Sequence, residues 1–289
     1  MLRALFKSMR PRQWTKNLFV YAALVFDQQF FHLPAFLRTT AGFILFCLVS
    51  SAVYIFNDLA DVESDRQHPV KKNRPIASGR LPTSAAWAAG IVLIVISLPL
   101  GYLLSPAFFA VLLVYFLLNL AYSKWLKHIA ILDALVIAAG FVLRVHAGVT
   151  LITVERFSPW LYVLTTLFAL YIGFGKRRSE LALLMDGAGA HRRVLDGYTL
   201  PVLDQYITIV SGTTIVVYAL YTFFAPNVPA NHTMMLTIPF VIYGIFRYLY
   251  LIQVTHAVGA PEEVLLSDRP LQLTIVLWGL TVLAVFYLQ

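Results

Sequence analysis

Apolar runs of about 20 residues, each closed by a short polar cluster, recur along the 289-residue chain. Crossing a hydrocarbon core takes about 20 apolar helical residues. The runs therefore predict spans near 17–33, 36–57, 84–104, 107–123, 131–152, 158–175, 200–224, 233–254 and 270–288. The first is the least clean, because Asp27, Gln28 and Gln29 fall near its end. Leu104-Ser105-Pro106, Phe157-Ser158-Pro159 and Ala225-Pro226-Asn227-Val228-Pro229 mark short, almost uncharged gaps, while the alternate gaps are longer and basic. The pattern predicts an all-α polytopic membrane protein, a bundle of about nine transmembrane helices forming a single domain over residues 1–289.

Composition agrees. Charged residues make up 12% of the chain, about half the fraction of a soluble protein. With the N-terminus inside, 19 of the 22 Lys and Arg fall on the inner side. The positive-inside rule then places the N-terminus and the segments 58–83, 124–130, 176–199 and 255–269 in the cytoplasm, beneath a bacterial-type cytoplasmic membrane. The net charge of +8 is thus mostly a topology signal, and no compact basic domain exists for nucleic acid. Cys47 is the one cysteine, which excludes a disulfide framework or a Cys-based metal site. The basic N-terminus runs straight into Pro11-Arg12-Gln13-Trp14, so no cleavable signal peptide is expected.

The densest block of acid is Asn57-Asp58-Leu59-Ala60-Asp61-Val62-Glu63-Ser64-Asp65-Arg66. On a helix Asn57, Asp61 and Asp65 form one stripe with Asp58 beside it. Like charges at this spacing weaken a helix, so helix stability does not account for them. A divalent cation would, and carboxylate oxygens suit Mg²⁺, which takes one or two carboxylates plus substrate phosphates. A solvated helix end is the plainer alternative. Downstream, Pro69, Pro75 and Gly79 mark an ordered loop carrying Lys71, Lys72 and Arg74. A diphosphate held through Mg²⁺ remains anionic, and such cations would complete its binding.

Asn-Asp-x-x-Asp-x-x-x-Asp at 57–65 followed by Lys71-Lys72-Asn73-Arg74-Pro75 resembles the UbiA superfamily of intramembrane prenyltransferases. Arg10-Pro11-Arg12-Gln13-Trp14-Thr15-Lys16-Asn17 and Ala121-Tyr122-Ser123-Lys124-Trp125-Leu126-Lys127 fit it as well. The resemblance implies Mg²⁺ and a diphosphate at the cytoplasmic mouth of a helical bundle. It also implies a second Asp-rich motif after the sixth span, where this chain reads Gly173-Phe174-Gly175-Lys176-Arg177-Arg178-Ser179-Glu180-Leu181. Cations there favour a bare phosphate. That pattern, with Gly259-Ala260-Pro261-Glu262-Glu263-Val264 and Asp268-Arg269-Pro270-Leu271-Gln272, resembles the branch that makes decaprenylphosphoryl phosphoribose.

The implied reaction is transfer of 5-phosphoribose from phosphoribosyl diphosphate (PRPP) to a polyprenyl phosphate, a step toward cell-envelope polysaccharide precursors. Under that resemblance Asp58, Asp61 and Asp65, with Asn57, hold Mg²⁺ and the diphosphate. Lys72 and Arg74 bind the diphosphate or the sugar phosphate, Tyr122 and Lys127 line the same pocket, Lys16 reaches a phosphate or anchors at the interface, and Lys176 and Arg177 bind phosphate in a second half-site, with Glu180 orienting them or touching a ribose hydroxyl. Arg144 lies in the middle of a span, where a cation usually serves function, here as a substrate-binding residue, the alternative being a structural pair with an intramembrane acid such as Asp133. Two other readings stand beside this one: prenyl transfer from a prenyl diphosphate to an aromatic or polar lipid acceptor, and transport of a lipid phosphate or anion. The bilayer is the expected surrounding, and nothing in the sequence bars a homo-oligomer.

Overall fold

The structure, a computed structural model, describes every residue except 69–70, 155–157, 186–192, 255–263, 265–266 and 289. Gly259–Glu263 of the sequence motif, Arg156 and Arg192 therefore lie outside the described residues. The helices are α1 (Leu2–Ser8), α2 (Ala22–Phe26), α3 (Leu33–Ala60), α4 (Val62–Gln67), α5 (Thr83–Leu104) and α6 (Pro106–Lys124). They continue as α7 (Leu132–Val149), α8 (Trp160–Met185), α9 (Leu200–Phe224), α10 (Ile238–Gln253) and α11 (Arg269–Tyr287). No strand occurs among the described residues. Among the described residues seven helices are long and apolar enough to cross a membrane, so this is a multi-pass membrane protein.

The polar clusters between spans work as helix caps. Ser105 accepts a hydrogen bond from Phe108 N–H with Pro106 at the start of α6, Thr199 does the same for Val202 N–H at α9, and Asp268 caps α11 through Leu271 N–H.

Two predicted spans differ from expectation. The first, near 17–33, is not one helix: a 3₁₀ run over Pro11–Tyr21 leads into the short α2, and α3 begins only at Leu33. Such long 3₁₀ runs are uncommon, and tertiary contacts hold this one. Trp14 Nε1 donates to Ser51 Oγ at 3.0 Å, and the buried Asn17 donates to Ser50 Oγ at 3.1 Å. Gln29 breaks the following turn by donating to Asp27 Oδ2 and to the Thr153 carbonyl. The other is the span near 158–175, which continues ten residues further as α8. Lys176, Arg177 and Arg178 thus stand on a helix and not in a loop. No Gly or Pro falls between Gly175 and Met185 to stop it, and Glu180 lies one turn beyond Lys176 and Arg177 to offset their charge.

The chain divides into two compact units, Met1–Lys127 with Gly140–Val154, and His128–Ala139 with Glu155–Gln289. In the first, α3 packs on α5 and α6 around Val20, Phe46, Phe108, Leu112 and Leu151. In the second, α8, α9 and α10 pack around Tyr171, Phe174, Leu203, Ile207 and Ile252.

Candidate functional site

The 28 residues of α3 extend about 42 Å, further than a hydrocarbon core about 30 Å thick requires, and the surplus carries the acids. At Asp61 (φ −97°, ψ 7°) the chain pivots into α4. The backbone ladder survives, with Asp61 N–H donating to Asn57 O at 3.0 Å and Asp65 N–H to Asp61 O at 2.8 Å. The pivot rearranges the expected stripe. Asp58 and Asp65 converge on Arg74, whose Nη1 donates to Asp58 Oδ1 at 3.1 Å and to Asp65 Oδ2 at 2.7 Å. Asp61 turns instead to Lys127 Nζ, at 2.9 and 3.2 Å. A further cation joins: Arg10 Nη2 donates to the same Asp58 Oδ1 at 2.5 Å, with its guanidinium 4.8 Å from the centre of the Tyr54 ring.

The loop carrying Arg74 is fixed by its apolar residues. Ile76 and Leu81 are buried against Ile55 and Leu59 of α3. Gly79 takes φ +74°, a conformation open to glycine, and lets the loop close as Leu81 N–H donates to Pro75 O at 2.9 Å. Lys72 is exposed on the 3₁₀ turn Lys71–Asn73. His68 Nδ1 accepts from Lys71 N–H at 3.3 Å, and desolvation together with the Lys71 cation lowers its pKa, favouring that accepting neutral form. Lys16, Asn57 and Tyr122 are half-buried in the same unit.

The donor set fits Mg²⁺. Among the described residues no three acidic, His or Cys side chains form a ready metal cage. What the unit offers is carboxylate oxygen on buried Asp58 and Asp65 with Asp61 nearby in sequence. Such a partial set suits an ion that completes its shell with substrate phosphate and water.

The second unit holds another charged cluster. Arg177 is 2% exposed; its Nε donates to Asp133 Oδ2 at 2.5 Å and its Nη1 to Glu180 Oε2 at 2.6 Å. Tyr198 closes the group by donating to Asp133 Oδ1 at 2.8 Å while accepting from Ile131 N–H at 2.6 Å. Burial pushes the Tyr198 pKa up, which keeps its hydroxyl in the donating form. Lys176 is partly exposed, with Nζ 4.0 Å from Glu180 Oε1. Arg178 pairs with Asp204 at 2.6 Å and ties α8 to α9.

Arg144 is buried in the first unit without the partner Asp133 that the sequence suggested. Its Nε donates to Asn17 Oδ1, its Nη1 to the Gly140 carbonyl and its Nη2 to Tyr115 Oη, each at 2.8 Å. The rings of Phe46, Tyr115 and Phe141 surround the guanidinium. Through Asn17, Arg144 clasps the 3₁₀ segment.

Sequence reasoning missed Arg10, Asn17 and Tyr198 as site residues and took Asp133 only as a partner for Arg144. The one sequence signal for Arg10 was its place before Pro11 in a motif otherwise read for family resemblance. Nothing local marks Tyr198.

Residues 17–260 match the sequence model of the UbiA prenyltransferase family. The chain is 35% identical to a decaprenyl-phosphate phosphoribosyltransferase of Mycobacterium tuberculosis, over 96% of this chain and 92% of that one. It is 34% identical to a protein of the same description from Mycolicibacterium smegmatis, over 99% and 93% of the two chains. A solved structure of a UbiA homolog from Archaeoglobus fulgidus bound to DMAPP and Mg²⁺ shares the fold, with a TM-score of 0.73, 18% identity and 99% coverage of both chains.

Proposed function

The chain belongs to the UbiA prenyltransferase family, and from that premise we propose that it transfers 5-phosphoribose from PRPP to a polyprenyl phosphate of decaprenyl type. The near full-length similarity to decaprenyl-phosphate phosphoribosyltransferases supports the acceptor. The observation that carries the donor is the meeting of two buried carboxylates with Arg10 and Arg74 in the first unit. That mixture of acid and guanidinium suits a metal-bound diphosphate.

In the reaction an oxygen of the lipid phosphate bonds to the anomeric carbon of PRPP. The bond from that carbon to the diphosphate oxygen breaks, and its electron pair leaves with the diphosphate. The phosphate monoester is already anionic at neutral pH, so no strong general base is needed. Positioning and charge neutralisation are the work left to the protein. Asp58, Asp61 and Asp65, with Asn57, would hold Mg²⁺, which when bound neutralises the departing diphosphate. Arg74 and Lys72 bind anionic oxygen of PRPP, Lys127 holds Asp61 in place, and Lys16 and Tyr122 complete this set. In the second unit Lys176 is the phosphate contact, while Arg177, held by Asp133, orients Glu180 toward it. Arg144 acts through Asn17 rather than on substrate. The basic bias of alternate segments supports a cytoplasmic site in a bacterial-type cytoplasmic membrane, where cytosolic PRPP reaches it. The product would feed cell-envelope polysaccharide precursors.

The test is purified protein with Mg²⁺, PRPP and a polyprenyl phosphate, followed by detection of a phosphoribosyl lipid. Product formed instead from a prenyl diphosphate and an aromatic acceptor would overturn this reading in favour of prenyl transfer.

A further inference from the structure

Arg10 holds its place against its own backbone preference. It takes φ 53° and ψ 61°, in the left-handed region that residues with a β-carbon seldom adopt. Neighbouring contacts enforce the conformation: Arg10 N–H donates to Lys7 O, Gln13 N–H to Arg10 O, and Ser51 Oγ to Met9 O. Strain of this kind persists where the surrounding structure over-determines it, commonly at functional sites. What the strain secures is the side chain, stacked on Tyr54 and bonded to Asp58.

Charge then separates Arg10 from Arg74. Two guanidiniums share one carboxylate oxygen, Asp58 Oδ1, although Arg74 alone already bridges Asp58 and Asp65. The two carboxylates are nearly fully buried, whereas the Arg10 side chain is 28% exposed. A divalent ion on these carboxylates would leave both guanidiniums beside it with their counter-charges taken. A polyanion arriving with the ion removes that repulsion.

We propose that Arg10 is a diphosphate ligand held in reserve by Asp58. It pairs with the carboxylate while that oxygen carries no metal, and passes its guanidinium to diphosphate oxygen when Asp58 turns to Mg²⁺. Tyr54 keeps the guanidinium plane in place during the exchange. This inference rests on the reading of the cluster as a Mg²⁺-diphosphate site, and it makes metal and diphosphate binding mutually dependent.

The decisive variant is Arg10→Gly, because glycine accepts the left-handed backbone and only the side chain is lost. Arg10→Asn, which also tolerates that conformation, serves if the glycine variant fails to fold. Purified proteins in lipid nanodiscs are titrated with Mn²⁺ alone, read by the spin resonance of free Mn²⁺, and then with inorganic diphosphate at fixed Mg²⁺. Removing Arg10 should tighten Mn²⁺ binding several-fold while weakening diphosphate binding by about tenfold or more. These opposite signs are the mark of an exchangeable ligand. A parallel loss of both, or no change in either, overturns the proposal and leaves Arg10 a structural pin. A wild-type protein that binds neither probe sinks the functional reading itself, and the inference with it.

Discussion

In the first unit the carboxylates Asp58 and Asp65 are buried and the guanidiniums of Arg10 and Arg74 are about a quarter exposed. In the second unit Arg177 and Asp133 are both sealed, while Lys176 and Glu180 reach the surface. The same residue types serve opposite ends. A cation that keeps one side open can leave its partner for an anionic substrate without being dragged through an apolar core. A pair buried on both sides cannot, because separating it strands a charge in low dielectric. On the proposed function the first cluster is therefore suited to exchange and the second to permanence, with Lys176 and Glu180 as its proposed working edge.

The sharpest break of this contrast is in stability. Asp133→Ala should cost about 3–5 kcal/mol, since it leaves the Arg177 guanidinium without its buried partner. Chemical unfolding in detergent would read it; a loss under 1 kcal/mol would mean the second cluster is as exchangeable as the first. The next effect is in turnover. Asp61→Asn and Asp65→Asn should each lower phosphoribosyl transfer by about 10²–10³-fold, with the protein still inserting and purifying. Near-normal rates in both, at ordinary Mg²⁺, would dissolve the idea of an exchange site.

Lys176→Ala probes the working edge of the second cluster. It should lower kcat/KM about ten- to a hundred-fold, the equivalent of about 1.5–3 kcal/mol for one charge-assisted contact. Mg²⁺ dependence and unfolding should stay unchanged, so an unchanged rate would demote Lys176 to a topology anchor.

The smallest effect concerns the Asp268–Arg247 fork, at 2.7 and 3.2 Å. The Arg247 hydrogen bonds, with help from Leu271 N–H, hold the Asp268 carboxyl below its ordinary value. A depressed carboxylate stabilises the fold above its unfolded pKa of about 4 and loses that contribution as pH falls through its folded value. Asp268→Asn should cost about 1 kcal/mol at neutral pH and nothing once the wild-type carboxyl is protonated. Equal losses at neutral and strongly acidic pH would show that the carboxylate's charge is not what is lost.

What the sequence made legible follows from what is local. Helical periodicity, the polar break at Leu104-Ser105-Pro106 and the acids at 58–65 are all written within a few neighbouring residues. Asp61 with Lys127 was brought together by family resemblance rather than by spacing. The rest depends on pairing between distant segments. Arg10 meets Asp58 across 48 positions and Asp133 meets Arg177 across 44. No periodicity encodes such a choice, which is why Asp133 was matched in sequence to Arg144 on its own helix. The broken first span was similarly hidden, because hydropathy scores an apolar segment without seeing which neighbours supply its missing backbone order.

Helix α7 belongs to both units, its first two turns to the second and the remainder to the first. That division sets a schedule for synthesis. The 3₁₀ segment Pro11–Tyr21 leaves the ribosome early, yet Arg144 holds its Asn17, and Gly148 leaves just enough room for the Val20 carbonyl. Those partners emerge more than 120 residues later. Until then the N-terminal segment has neither its clasp nor its seat, and any insertion machinery must keep it from settling elsewhere. Nascent chains arrested before residue 140 should therefore expose positions in 11–21 to proteases or thiol reagents, and chains arrested well past 154 should protect them.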